Sequence, residues 1–209
     1  MEEIEQHSWI FKAILRQREV AMGLQGWFQW HSYSTRFVYK QLRNADGHVP
    51  WYKIFCGNNA RPRALMNLWI ACHGKLATRS RLYRFGLVDY ITCCFSLQEE
   101  TIEHLLFECL ETKNIWKQVL TRLDIHHEPQ AWTEELVWLI QNCKGKSIRA
   151  DMVKLAIMEA VYGIWMYKNY VSFGKDIDRL KIGTNIIDMI VYRGWGKMKI
   201  RPHISSLML

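Results

Sequence analysis

The chain has 209 residues, of which 49% are hydrophobic and 23% charged, and its formal net charge is +8. These are globular values, and with only four prolines and twelve glycines they exclude a disordered, collagen-like or linker-rich chain. The length suits one sizeable core, ten tryptophans supply bulk for helix-on-helix packing, and the excess of base is compatible with a polyanionic partner.

In chain order, Ser8 is an N-cap for a helix to about Met22, and the weak alternation of residues 27–34 suits a short strand or hairpin arm. Thr35 to Arg43 reads as a short helix. From Pro62, which suits a first helical turn, Leu65, Leu68, Trp69, Cys72 and Leu76 recur at helical spacing. Thr78 caps a short helix closed by Gly86, and Thr101 caps the next. Thr112 caps one with Ile115, Trp116, Val119 and Leu120 on a single face. Further helices are expected from Thr133 to Cys143, from Ser147 to Phe173 and from Asp176 to about Arg193. The expected fold is mostly α: a compact helical domain with a short N-terminal strand or hairpin and a small Cys/His finger-like turn. Leu65, Leu68, Trp69, Leu105, Ile115, Trp116 and Val119 should share its core. The basic tail around Trp195 is expected to be a frayed terminus.

The opening Met-Glu-Glu-Ile-Glu lacks the basic start and apolar stretch of a signal peptide. The most apolar helical segment, Leu155 to Tyr167, contains Glu159 and is too short to span a bilayer. These features lead to the expectation of an intracellular protein of the nucleus or cytoplasm, with no membrane partner. Its six cysteines should then be reduced, serving metal binding or burial rather than disulfides.

Charge is distributed in blocks. Residues 47–88 carry seven basic groups (Lys53, Arg61, Arg63, Lys75, Arg79, Arg81 and Arg84) and no acid, whereas residues 89–111 carry six acids and no Lys or Arg. A second basic block spans 144–209, with twelve basic groups against five acids. A solvated face would mix the signs, so the acid-free stretch points to phosphate contacts by Arg61, Arg63, Lys75, Arg79, Arg81 and Arg84 on one positive surface. The competing expectation is that these arginines pair with the acids of the following block.

Cysteine and histidine converge in Asp89 to Cys109. Structural zinc takes four Cys or His ligands, commonly two from a turn and two from a neighbouring helix end. Cys93 lies on the turn, while His104 and Cys109 are five residues apart. On a continuous helix that spacing points them about 140° apart, so Cys109 must sit where the helix unwinds. Ser96 stands where a Cys-x-x-Cys turn would place its second ligand, and a neutral hydroxyl is a poor one. Cys94, adjacent to Cys93, reaches the same ion only with strain. Two buried thiols with a hydrogen-bonded histidine and no metal remain the alternative.

At these residues the chain resembles the zinc-binding domain that follows the polymerase in plant non-LTR (LINE-type) retrotransposon reverse transcriptases. Tyr33-Ser34-Thr35-Arg36 to Tyr39 matches the family's aromatic-Ser-x-Lys/Arg motif, and Trp51 to Ile54 its Trp-x-x-Ile element. Pro62-Arg63 through Leu68-Trp69 and Gly74-Lys75-Leu76-Ala77-Thr78 follow in order. Then come Cys93, Glu100-Thr101, His104-Leu105-Leu106-Phe107-Glu108-Cys109 and Ile115-Trp116, with Ser96 replacing the family's second cysteine. A weaker echo lies at Tyr162-Gly163-Ile164-Trp165 and Lys168-Asn169.

The resemblance covers a reverse-transcriptase zinc-binding-like domain at 27–123, and the helical pattern around it is expected to form an N-terminal helix at 1–26 and a C-terminal helical region with a basic tail at 124–209. The resemblance implies zinc on Cys93, His104 and Cys109, weakened by Ser96, and a sequence-independent RNA or DNA partner. There is no aromatic-x-Asp-Asp polymerase core and no set of acids for a nuclease metal pair, so no enzymatic activity is expected. The alternative is a metal-free helical scaffold, or a protein-interaction remnant of a decayed retroelement.

Overall fold

The computed structural model describes residues 49–205; the helices expected at 8–22 and 35–43 and the strand at 27–34 lie outside the described residues. Eight α-helices follow: α1 (Tyr52–Phe55), α2 (Pro62–Cys72), α3 (Arg79–Arg84), α4 (Leu110–Arg122), α5 (Trp132–Asn142), α6 (Ile148–Ser172), α7 (Lys181–Trp195) and α8 (Arg201–Ser205). One turn of π-helix, His104–Glu108, precedes α4. Among the described residues extended pairing is confined to an antiparallel bridge between Thr92 and Glu99. The mostly α fold with a Cys/His turn is therefore observed.

Several helix starts follow directly from local chemistry. Pro62, which has no N–H to leave unpaired, opens α2. Ser147 caps α6 by accepting the Ala150 N–H at 3.1 Å. Gly86, at φ +66°, closes the turn after α3 in the left-handed region that favours glycine. Three expectations need correction. Helix α4 begins at Leu110 because Cys109 takes the N-cap, and Thr112 instead turns its hydroxyl back to the Cys109 carbonyl at 3.2 Å. Helix α7 starts at Lys181, after a turn in which the Asp178 carboxylate accepts the Leu180 N–H at 3.1 Å. The tail beyond Trp195 is folded back rather than frayed: Ile200 is buried and the Arg201 guanidinium lies 4.6 Å from the Trp195 ring centroid.

Helix α6 is the centre of the fold and packs against α2, α4, α5 and α7. From Met152 to Val161 it is buried on every side, which is what an element surrounded by other helices requires. Residues on both sides of position 124 contribute to one continuous core. Leu68, Leu105, Ile115, Trp116 and Val119 are in it as expected. Trp69 is not: it is 44% exposed and lies against the His73 ring at 4.3 Å. The inward stripe of α2 is Ala64, Leu68 and Ala71, and Trp69 is one residue, or about 100°, round the helix from it. Leu65 is half-buried. Gly163 allows α7 to approach α6 closely, since a Cβ there would meet Ile186 Cγ1 at 2.5 Å. Among the described residues no helix is long and apolar enough to cross a membrane.

Candidate metal centre

The loop from Ile91 to Glu100 is closed like a small hairpin. The Cys93 N–H donates to the Gln98 carbonyl and the Glu100 N–H to the Ile91 carbonyl, both at 2.8 Å. Its position is set by α3 and α6. The Arg79 guanidinium donates to the Thr92 carbonyl at 2.6 Å and lies over the Tyr90 ring at 4.6 Å, while the Arg79 N–H donates to Glu100 Oε1 at 2.8 Å. From α6, Lys168 Nζ meets Glu100 Oε1 at 3.0 Å, and Tyr167 stacks on Phe95 at 4.7 Å.

The second half of the site is the π-helical turn. Thr101 Oγ1 accepts the His104 N–H at 3.1 Å, as its expected capping role requires. The Cys109 N–H then bonds the His104 carbonyl, five residues back, at 2.7 Å. The widened turn removes the angular mismatch of an ordinary helix, and Cys109 leaves it in an extended conformation (φ −64°, ψ 125°). The expectation that Cys109 sits where the helix unwinds is met in this particular form.

Cys93, His104 and Cys109 are all buried, and their ligand atoms lie within 4.8 Å of one another. Around a tetrahedral zinc, with bonds of about 2.0–2.3 Å, ligand atoms stand roughly 3.3–3.8 Å apart, so a small inward movement suffices. Ser96 lies beside the trio, its Oγ 2.9 Å from His104 Nε2. Two thiols, an imidazole and a hydroxyl thus converge. This donor set fits zinc, with three good ligands and one weak one.

The thiols are not equivalent. Hydrogen bonds from Cys109 first and Cys94 second hold the Cys93 thiol well below the ordinary range. Reciprocally, the bond to Cys93, followed by burial, pushes Cys109 and Cys94 up. Zinc is held by thiolates, so an ion bound here would displace thiol protons. Cys72 and Cys143 lie elsewhere, and burial pushes each up to about 12, as expected of inert core thiols.

Cys94 faces the Lys168 carbonyl at 4.0 Å and groups with Cys93 and Glu100 rather than with His104 and Cys109. By sequence the acids of 89–111 look like solvated surface, but Glu100 is 0% exposed. Burial pushes its carboxyl above the usual range, against the opposing pull of Lys168.

The basic candidates of the acid-free block have different surroundings. Arg61 donates through its backbone N–H and guanidinium to buried Glu159, at 2.5–3.0 Å, and lies over Tyr162. Arg79 braces the finger loop as described above. Arg81 donates to the Gly74 carbonyl at 3.5 Å and lies over Phe85. Arg63, Lys75 and Arg84 are exposed. Sequence reasoning missed the bracing role of Arg79 and Lys168 because nothing in a run of acids marks Glu100 as the buried one. His127 lies in the irregular segment before Pro129, where it stacks on Trp138 at 3.8 Å and bonds Glu135 Oε2 at 2.8 Å, contacts that no spacing in the sequence marks.

Residues 33–116 match the family model described as zinc-binding in reverse transcriptase, and Cys93, Ser96, His104 and Cys109 all lie within the matched segment. Comparison with curated proteins and with solved structures gives no match.

Proposed function

We propose, taking residues 33–116 as a reverse-transcriptase zinc-binding domain, that this protein is a non-catalytic accessory module from a retrotransposon of the LINE type found in plants. It binds zinc through Cys93, His104 and Cys109 and holds RNA or DNA electrostatically with little sequence preference, in the nucleus or cytoplasm. The observation that carries the reading is the convergence of the three buried ligand residues, inside the matched segment, to within 4.8 Å. A zinc ion there would supply folding free energy by tying the hairpin loop to the π-helical turn. The exposed cations Arg63, Lys75 and Arg84 support phosphate contact.

Metal analysis with Ser96→Cys tests the first half. A thiolate in place of the hydroxyl should raise zinc affinity by about 10- to 100-fold, the range that changes around a metal site produce. Ser96→Cys protein that holds no more zinc than the wild type when purified with the ion would overturn the site.

The second half predicts binding of single-stranded RNA and duplex DNA that falls steeply between low and moderate salt, because neutralised phosphates release counterions. Absence of binding at low salt, or binding indifferent to salt, would remove the nucleic-acid partner. The hydrogen bond between Ser96 and His104, together with the shared thiol network, satisfies the site without an ion and favours the second reading, a metal-free scaffold. Wild-type protein that takes up no zinc and binds no polynucleotide would establish it.

A further inference from the structure

A cavity of about 400 Å³ opens between the start of α2, the second half of α6 and α7. Its walls include Arg61, Arg63, Tyr162, Tyr167, Tyr170 and Asn185, and none of its lining residues is acidic. We propose that this cavity takes one unpaired nucleotide of a single-stranded nucleic acid, with the base against the Tyr170 ring and the phosphate on Arg63. The inference rests on the nucleic-acid reading above and gives that reading a place on the molecule.

The lining divides into groups already used and groups left over. Arg61 is neutralised by Glu159 and serves as a flat guanidinium surface on Tyr162, at 4.6 Å. Tyr167 donates its hydroxyl to Glu111 at 2.9 Å and is stacked by Phe95, so it forms wall rather than contact. The Arg63 guanidinium and the Asn185 amide are exposed and have no partner among the described residues. Tyr170 also lines the cavity, and Lys175 Nζ lies over its ring at 5.2 Å from the centroid, which places a second cation on one aromatic face.

Each leftover group matches one part of a nucleotide. A base offers an apolar π-face for Tyr170 and a hydrogen-bonding edge for Asn185, and its phosphate offers the charge that Arg63 and Lys175 lack. The volume lies in the range of small-ligand sites. Bases of a duplex are stacked inside it and cannot enter such a cavity, so the match is to a single strand.

The test uses the full chain and a labelled oligouridylate, followed by fluorescence anisotropy beside a duplex of equal length. Wild-type protein should bind the single strand more tightly than the duplex. Tyr170→Ala should weaken single-strand binding roughly 5- to 150-fold, the worth of one stacked base, and Tyr170→Phe should restore it. Arg63→Gln should weaken binding and lower the salt slope by about one. Asn185→Ala, on the exposed face of α7, gives an independent variant should Tyr170→Ala melt early, and it too should bind less tightly. If these variants bind the strand like wild type while binding stays steep in salt, the cavity assignment fails and the nucleic-acid reading stands. If no oligomer binds at low salt, both fail.

Discussion

Replacing Arg61 by alanine is expected to destabilise the fold by about 3–5 kcal/mol, the cost of leaving one partner of a buried ion pair alone. Glu159 is 0% exposed on α6 and accepts the Arg61 backbone N–H at 3.0 Å, Nε at 2.8 Å and Nη2 at 2.5 Å. Without the guanidinium the buried carboxylate keeps a single backbone donor. Glu159→Ala should cost less, because the Arg61 side chain is 33% exposed and can recover hydration. That asymmetry is the informative part. Denaturant unfolding of the two variants measures it, against a total stability of about 5–15 kcal/mol for a domain. If Arg61→Ala unfolds at the wild-type denaturant concentration, the pair does not hold α2 to α6 and the guanidinium is free for another task.

Trp116→Ala is expected to be comparably damaging, at about 3–5 kcal/mol, the usual range for deleting a large buried aromatic. Trp116 is 0% exposed on α4 and stands 6.4 Å from Phe107 of the π-helical turn, ring centroid to centroid. Its indole Nε1 donates to Glu135 Oε1 at 2.8 Å. The other carboxylate oxygen accepts from the Gln130 N–H at 2.9 Å and bonds His127 Nε2 at 2.8 Å. Alanine therefore opens a cavity and also strips a donor from a buried carboxylate. Trp116→Phe separates the two effects: it retains most of the volume and loses only the hydrogen bond, for about 1–3 kcal/mol. Equal losses for the two variants in denaturant unfolding would mean that cavity formation contributes nothing, contrary to the packing described.

Much of this protein is written locally. Helix existence follows from apolar spacing and start signals, which is why α2, α3 and α6 begin at Pro62, just after Thr78 and just after Ser147 as expected. The meeting of Cys93, His104 and Cys109 was equally legible, because Cys and His are rare and the spacing of His104 and Cys109 demanded a break in the helix. What local pattern does not contain is the identity of the neighbour across the fold. Two helical windows one residue apart are almost equally apolar, so the exposure of Trp69 and the burial of Leu68 depend on where α6 lies. Charge is read even less well from sequence. Six acids in a row of twenty-three residues look uniformly solvated, yet Glu100 is buried because Lys168, 68 positions later in the chain, arrives 3.0 Å from it. In the same way Arg61 and Arg79 belong by sequence to a basic block and by structure to Glu159 and the finger loop. Residue type and spacing decide which groups are able to bond, whereas the energy of a buried charge depends on the partner that replaces its water, and only the tertiary fold supplies that partner.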